Sequence, residues 1–366
     1  AYAWWLMEHF WKTLAELFAQ MGCKAYLAYP KITTLSRSIA AAPIEPVQLT
    51  IPWQSGKQAS LARTFIHDRN ISLIYLTDQP YFNRQYAMMR LSGVQRIIVH
   101  DHIPGDRPPV RGSKGAQKAT RNAMPWLTAY SVLCVSELMR LRNITNARIS
   151  ADKCIVVPNG IQPVTCVEEE RNTLRKSLGV RPGSILAVTT GRAHPYKRFD
   201  FIINIAGALR NSSPELDIVF ILVGDGPAMP ELRDQVHKLG LEDTVHLLGF
   251  RTDVRGLLCA SDIAIHAALG EGFSLSIIEY MSAGLPVLVP NIPSVSQAVD
   301  HNATGIIYPK DDVDYVVSKL QVLATDHRCR LAIGRAAKAK ANSTYNLERC
   351  TQSFIAATAA GYRLYI

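Results

Sequence analysis

Two glutamates eight residues apart mark the segment of the chain best suited to chemistry, Glu271 and Glu279. Between them lie residues that lead into a helical apolar pattern ending at Gly284: Gly272, Phe273, Ser274, Leu275 and Ser276. The first amides of a helix are unpaired and carry partial positive charge, so this turn is suited to hold a phosphate. The flanking carboxylates are then free to accept hydrogen bonds from sugar hydroxyls. For Glu279 alone, a capping box with Ser276 is the alternative.

A cluster of cations follows the apolar run Ile185–Thr190. Arg192, Lys197 and Arg198 fall on one turn, and such a group matches the two charges of a leaving diphosphate. The alternative is a solvated basic turn.

Two further apolar runs are also followed by residues that suit a ligand. Gly224 and Gly226 follow Ile218–Val223, where they would allow close approach of the backbone to a ligand, although any turn uses the same residues. Phe250 follows Val245–Leu248 and is predicted to form one wall of a base pocket.

The elements that must position these residues alternate between short strands and helices from Ile185 to Tyr308. This order predicts a doubly wound parallel sheet, in which ligands bind at the carboxyl ends of the strands. Similar but sparser alternation before Pro158 predicts a first α/β domain. We predict an N-terminal domain over 1–160, a C-terminal donor-binding domain over 161–345, and a C-terminal helix over 346–366 that packs back on the N-terminal domain. Because the chain opens on a helix, the first strand is expected to be missing.

These motifs together resemble the donor domain of retaining GT-B glycosyltransferases of family 4. The residues that carry the resemblance are Pro158-Asn-Gly-Ile, Arg192, Lys197, Gly224-Asp-Gly-Pro and the Glu271 to Glu279 spacing. The resemblance implies a GT-B fold, α/β with two Rossmann-like domains facing each other across a cleft. The sequence departs from the family pattern at Ser274 and Arg198, where many members have glycine.

The resemblance also implies roles for individual residues. Arg192 and Lys197 would bind the donor diphosphate, Glu279 the ribose hydroxyls, and Glu271 with the Gly272–Ser274 backbone the transferred sugar. No metal and no cofactor besides the nucleoside diphosphate sugar would be needed.

His100, in the motif His100-Asp-His-Ile-Pro after the strand Arg96–Val99, resembles the histidine that family members aim at the donor sugar. The alternative for this histidine pair is a helix cap or packing at the strand end, which we favour for His102. Asp101 is expected to orient a neighbouring residue.

The positive charge is confined to one half of the chain. Residues 1–160 hold 19 Lys/Arg and 9 Asp/Glu, whereas the remainder holds 21 of each. A basic half favours an anionic partner, either a membrane surface, a nucleic acid or a phosphorylated acceptor; a merely soluble basic face is the alternative. Asp106–Asn122 is interpreted as a mobile basic loop that faces an anionic group. The opening helix with Trp4, Trp5, Phe10 and Trp11 could rest on a membrane surface, but we favour core packing for it.

The remaining composition narrows the class of protein. The sequence contains no run of about 18 apolar residues, so it predicts neither a membrane-spanning helix nor a signal peptide. We therefore expect a cytoplasmic protein that is peripheral on the inner face of the membrane. Seven dispersed cysteines are interpreted as buried thiols.

The predicted function is retaining, metal-independent transfer of a hexose-type sugar to a lipid-linked or surface-polysaccharide precursor. A nucleotide-sugar epimerase is the alternative enzyme. A basic nucleic-acid-binding protein is the alternative from another class, but no helix-turn-helix or stacking motif supports it.

Overall fold

Short apolar runs become parallel β-strands in both halves of the chain. The computed structural model describes residues 4–104 and 109–359, and contacts divide the chain into two units. One unit holds the residues up to Gly160 together with those from Glu348 onward, and the other holds Ile161–Leu347. The prediction of an α/β protein with two domains is confirmed.

The first unit has a four-stranded parallel sheet and a separate parallel pair of strands. Its elements up to Val156 are α1 (Trp4–Gln20), β1 (Ala25–Tyr29), α2 (Arg37–Ala40), β2 (Ile44–Gln48), α3 (Gly56–Asp68), β3 (Leu73–Thr77), α4 (Gln85–Leu91), β4 (Arg96–Asp101), α5 (Gly112–Asn122), β5 (Ser131–Cys134), α6 (Glu137–Thr145) and β6 (Cys154–Val156). Strands β3, β4, β5 and β6 form the sheet in chain order, and β1 pairs with β2. Strand β2 is hard to predict because Glu45 and Pro46 interrupt its apolar pattern, which only an exposed edge strand tolerates.

The second unit has a six-stranded parallel sheet. Its elements are α7 (Glu168–Ser177), β7 (Ile185–Thr190), α8 (Phe199–Ser212), β8 (Ile218–Val223), α9 (Met229–Lys238), β9 (Val245–Gly249), α10 (Val254–Ala260), β10 (Ile263–Ile265), α11 (Leu275–Ala283), β11 (Val287–Pro290), α12 (Pro293–Ser296), β12 (Gly305–Tyr308), α13 (Val313–Thr325) and α14 (His327–Thr344); α15 (Leu347–Ala359) then leads into the first unit.

The strand order of this sheet is β12-β11-β10-β7-β8-β9. Every residue of β7 is buried, as is typical of a strand covered by helices on both faces of a sheet. Successive strands run outward from β7 in one direction and from β10 in the other. The order therefore reverses between β7 and β10, which is the point where doubly wound sheets open a crevice.

Helices α1 and α15 pack together through aromatic rings. Phe10 and Phe354 have no exposed surface and stack with centroids 4.5 Å apart. Phe10 is thus a core residue, while Trp4 of the same helix is 49% exposed. Core packing, the favoured prediction for this helix, is therefore confirmed for Phe10, because burying the ring against Phe354 removes it from any lipid.

The basic segment Asp106–Asn122 is largely helical. Residues Gly112–Asn122 form α5, so the prediction of a mobile loop is wrong there, and residues 105–108 lie outside the described part of the chain. Gly115 has a packing role, since a Cβ at this position would lie 2.9 Å from the carbonyl oxygen of Val110.

The cysteines are not all buried thiols. Cys166 and Cys259 form a disulfide that joins the segment before α7 to the end of α10, and Cys23 is exposed. The interpretation is wrong for these residues because a spacing of 93 in sequence carries no signal for a pairing made in three dimensions. Within residues 4–104 and 109–359, no helix combines the length and apolarity required to cross a bilayer.

Candidate functional site

The carboxyl ends of β7 and β10 bring two of the predicted site residues into contact. The two strands are neighbours in the sheet, and the loops that follow them carry Lys197 and Glu271. Lys197 ends a single 3-10 turn, Pro195–Lys197, and its Nζ pairs with Glu271 Oε1. The lysine and glutamate side chains are only 12% and 15% exposed. The strand order thus joins residues 74 positions apart at the reversal point.

A third residue, His266, completes this cluster. It directly follows β10, and its Nε2 lies 3.0 Å from the same Oε1 of Glu271. Burial alone would raise the pKa of Glu271, but the hydrogen bond with His266 and the charge of Lys197 lower it to about 2. Burial lowers the pKa of His266, so the imidazole is neutral near pH 7 and donates Nε2–H to the carboxylate.

Helix α11 presents an uncapped amino terminus beside this cluster. Its N-cap is Ser274, which makes no side-chain capping bond. Ser276 instead contacts Thr190 through the two hydroxyls at 3.2 Å, and Tyr280 Oη accepts a hydrogen bond from the Thr190 amide at 2.6 Å. The helix is thereby fixed to the end of β7. An uncapped helix start with partial positive charge is suited to bind an anion.

The position of the N-cap excludes the capping-box explanation for Glu279. Because Ser274 is the N-cap, Ser276 is the second helical residue and cannot form the Ser-x-x-Glu box. Glu279 has no hydrogen-bond partner among the described residues. Burial raises the pKa of its carboxyl to about 7, and only the charge of Arg255 opposes that rise. Glu279 is only partly exposed, so its carboxyl remains open to a ligand that can donate a hydrogen bond.

Gly224 and Gly226 have a structural reason for being glycines. A Cβ at Gly224 would lie 1.7 Å from the Gly191 carbonyl oxygen, and one at Gly226 would lie 2.3 Å from that of Ala193. The loops after β7 and β8 are thus in backbone contact. The sequence predicted that these glycines let the backbone approach a ligand. In the structure they let one protein segment approach another, which is sufficient to explain both glycines.

Two further residues predicted to bind the donor lie on the loops after β7 and β9. Arg192 is exposed on the loop after β7, and the Phe250 ring after β9 is 65% exposed. Their side chains are accessible at the same edge of the sheet.

Arg198 does not add free positive charge to the turn. Its guanidinium pairs with Asp200 at 3.2 Å and with Asp311 at 2.7 Å. Its φ of 56° lies in the left-handed region, which favours glycine and is consistent with glycine being common at this position. The expectation that Arg198 would serve the diphosphate is therefore wrong, since two carboxylates neutralise it.

His100 lies at the end of β4 in the first unit and has no exposed surface. The Tyr75 hydroxyl lies 2.5 Å from His100 Nδ1, and the ring packs near Phe10 and Phe354. Its Nε2 is buried without a hydrogen-bond partner among the described residues. Burial, together with the neighbouring His102, lowers the pKa of His100 well below its usual value.

The His102 ring lies against the His100 ring, with centroids 4.0 Å apart and the planes tilted by 44°. Its backbone amide donates to Asp78 at 2.7 Å, and burial lowers the pKa of its imidazole although Asp78 and Asp101 oppose this. Asp101 binds the buried Arg142 and Asn143 through its Oδ2, each at 3.0 Å. Asp101 therefore orients neighbours by direct contact.

Sequence reasoning missed His266, Thr190 and Tyr280. His266 could have been predicted, because it directly follows a buried apolar run, and the same criterion identified His100. Tyr280 falls inside an apolar helical pattern, so nothing in the sequence marks its hydroxyl. Across the described ranges, no group of three or more His, Cys, Asp or Glu side chains is arranged to hold a metal ion.

Comparisons with known proteins agree with this site. Residues 184–326, which contain the Lys197–Glu271 cluster, match the family model described as "Glycosyl transferases group 1". A galactosyltransferase of Escherichia coli, named UDP-Gal:alpha-D-GlcNAc-diphosphoundecaprenol alpha-1,3-galactosyltransferase, is 27% identical over 63% of this chain and 62% of its own length. Matches to two further curated relatives cover 50% and 47% of their lengths, so the chain spans about half of them.

Solved structures share the fold. A glycosyltransferase from Rickettsia africae superposes with a TM-score of 0.79 at 15% identity, covering 96% of this chain and 94% of that one. HepE of Anabaena, crystallised with UDP and glucose, gives a TM-score of 0.76 at 20% identity, covering 97% and 95%. The neighbours are GT-B proteins, and the GT-B fold predicted for this chain is confirmed.

Proposed function

Because residues 184–326 form a group 1 glycosyltransferase domain, we propose that this chain transfers a hexose-type sugar from a nucleoside diphosphate donor with retention of configuration, as in family 4. The observation that carries the proposal is the Lys197–Glu271 pair beside the uncapped start of α11. A cation and a helix amino terminus stabilise a leaving diphosphate, and a carboxylate binds sugar hydroxyls. The solved HepE complex with UDP and glucose is consistent with such a donor.

We assign the roles of the residues accordingly. Lys197 and Arg192 neutralise the diphosphate, the Gly272–Ser274 backbone and Glu271 hold the transferred sugar, and Glu279 binds the ribose. The exposed Phe250 ring provides a wall for the base. The cations and the helix end supply the charge stabilisation, so no metal is assigned to the reaction.

The proton of the acceptor hydroxyl leaves through the donor itself. No enzymic nucleophile is assigned, and the departing phosphate oxygen takes the proton as the acceptor oxygen attacks the same face of the sugar. His100 is proposed as the catalytic residue of the first unit, acting through Nε2, which is buried without a hydrogen-bond partner in the described residues.

A panel of nucleotide sugars tests the donor. At a concentration of about 100 Kd, binding adds roughly 2.7 kcal/mol to the free energy of unfolding, which raises Tm by several degrees. One class among UDP-, GDP- and ADP-sugars is expected to give this rise, and the sugar released to an acceptor should keep its anomeric configuration by NMR. No rise with any class would contradict the assignment. An epimerase would instead change the sugar without an acceptor.

We propose that the acceptor is lipid-linked and that the first unit meets an anionic membrane surface from the cytoplasmic side. The E. coli relative is named for a diphosphoundecaprenol acceptor. In this chain, exposed apolar side chains lie among cations near the amino-terminal ends of β4, β5 and β6. We call them the Trp126 patch: Leu91, Met124, Trp126 and Tyr130, which are 68%, 42%, 57% and 43% exposed.

Cations accompany the Trp126 patch closely. Arg90 donates to the Trp126 carbonyl at 3.2 Å, and Arg96 and Lys153 lie 4.7 and 5.3 Å from the Tyr130 ring centroid. Aromatic rings at a bilayer interface and cations beside anionic headgroups both favour peripheral binding. The patch thus supports a membrane contact at a place other than α1.

Replacing Trp126 by alanine is expected to weaken binding to phosphatidylglycerol vesicles by about 10- to 100-fold, since one buried large side chain contributes roughly 1.5 to 3 kcal/mol. Sedimentation with vesicles measures this. Leu331→Ala removes a comparably exposed side chain, 44%, from the second unit and should bind like wild type. Equal binding of Trp126→Ala and wild type would count against the patch, and no binding of wild type at low salt would count against the membrane.

A further inference from the structure

We propose that His266 is a positioning residue for the sugar-transfer reaction, one that keeps the Glu271 carboxylate in place when the donor diphosphate engages Lys197. This inference rests on the proposed function. It assigns a task to a residue that neither the motif spacing nor the predicted contacts include.

The geometry makes His266 a rigid support. Its amide donates to the Leu288 carbonyl at 2.9 Å, and its own carbonyl accepts from the Tyr308 hydroxyl at 3.3 Å. The residue is 1% exposed. The backbone of His266 is therefore held by the neighbouring strand β11 and by the Tyr308 side chain of β12, whereas Glu271 lies on the loop before α11. A hydrogen bond from a fixed imidazole restricts the position of that carboxylate.

The two partners of Glu271 are expected to behave differently when the donor diphosphate binds. Lys197 and His266 both contact Oε1. Lys197 lies on the loop after β7 and is the cation assigned to the diphosphate. When the diphosphate attracts Lys197, Glu271 keeps His266 as its partner. A buried carboxylate that lost both would rotate away or take up a proton, and in either case it would stop accepting a hydrogen bond from the sugar.

The chemistry of His266 suits this task. A neutral imidazole with its proton on Nε2 donates to a carboxylate without adding a charge that would repel Lys197. The Tyr280 ring lies 6.3 Å from the imidazole and is itself bound to Thr190, so it does not compete for Glu271. His266 touches Glu271 and is given no contact with the substrate.

The test compares His266→Leu with His266→Gln in the full chain, using the donor sugar identified by the panel. His266→Leu keeps an apolar filling but loses the donor, and kcat should fall by about ten- to a hundredfold with the donor KM within about threefold. His266→Gln carries an amide N–H at similar reach and should recover most of kcat. The acidic limb of the kcat profile should move to higher pH in His266→Leu, because Glu271 loses a hydrogen bond that favours its charged form.

Each outcome decides the proposal. A purely structural role predicts lower Tm and less folded protein, with kcat per folded molecule and the pH profile unchanged in both variants, and that result would overturn it. So would equal losses in the leucine and glutamine variants when both are folded by circular dichroism. His246→Leu, on β9 of the same unit, is the matched control and should keep wild-type kinetics. Absence of transfer by wild-type protein would reject the proposed function instead.

Discussion

Replacing Lys197 by alanine is expected to lower kcat/KM for sugar transfer by about a thousandfold while the fold survives. The Lys197 ammonium lies on the loop after β7, at the reversal of the strand order, where we propose that the leaving diphosphate binds. Removing one preorganised charge-stabilising donor typically costs about 10² to 10³ in rate, and the low exposure of this lysine places it at the upper end. Steady-state kinetics with the donor identified by the panel measures the loss.

The control for this variant is another lysine of the same unit. Lys238 is exposed at the end of α9, and Lys238→Ala should leave kcat/KM within about twofold of wild type, as expected for surface substitutions. Loss of Lys197 leaves His266 as a partner for Glu271, so Tm should fall by only a few degrees. A Lys197→Ala variant with near wild-type kcat/KM would remove the diphosphate role from this residue.

Replacing Glu279 by alanine is expected to weaken binding of the donor nucleotide by about 10- to 100-fold. A hydrogen bond to a charged group contributes roughly 1.5 to 3 kcal/mol, and the partly exposed Glu279 carboxylate has no hydrogen-bond partner among the described residues. Isothermal titration calorimetry with the free nucleoside diphosphate measures the affinity. Glu231→Ala removes an exposed carboxylate from the first turn of α9 and should bind like wild type. Unchanged affinity of Glu279→Ala would refute the ribose assignment.

The same carboxyl makes nucleotide affinity depend on pH. Its pKa is raised to about 7, so it is mostly protonated at pH 6 and mostly ionised at pH 8. If the ionised form binds ribose, the dissociation constant should be about tenfold larger at pH 6 than at pH 8. Folding stability changes in the opposite direction. The raised pKa contributes stability that is present below the ordinary value of 4.5 and is lost as pH rises through about 7. Glu279→Gln should remove both dependences.

The membrane expectation changes most once the fold is known. The sequence directed attention to the aromatic α1 and to the basic segment ending at Asn122. Phe10 is buried in the core and Gly112–Asn122 is helical. Met124, Trp126 and Tyr130 of the Trp126 patch lie on the connection between α5 and β5, and Leu91 at the end of α4 is the fourth member. An irregular connection has no period from which a sequence pattern would predict which of its side chains are exposed.

The predictable part of this protein is what local patterns encode. Buried parallel strands have continuous apolar sequences, so β7 and β8 begin and end where the sequence predicts. The same apolar pattern predicts that Lys197 and Glu271 each lie on a loop that follows a strand. Parallel strands end at the same edge of a sheet, so the residues that follow them are predicted to form a ligand site there.

Tertiary structure alone decided which of those residues meet and in what state. Arg198 and Lys197 are adjacent cations in sequence, yet Arg198 is neutralised by Asp311, 113 residues away, while Lys197 contacts Glu271 and thereby His266. The Cys166–Cys259 disulfide and the burial that raises the pKa of Glu279 are of the same kind. Such pairings depend on the order of strands in the sheet and on exclusion of water, which are properties of the assembled fold.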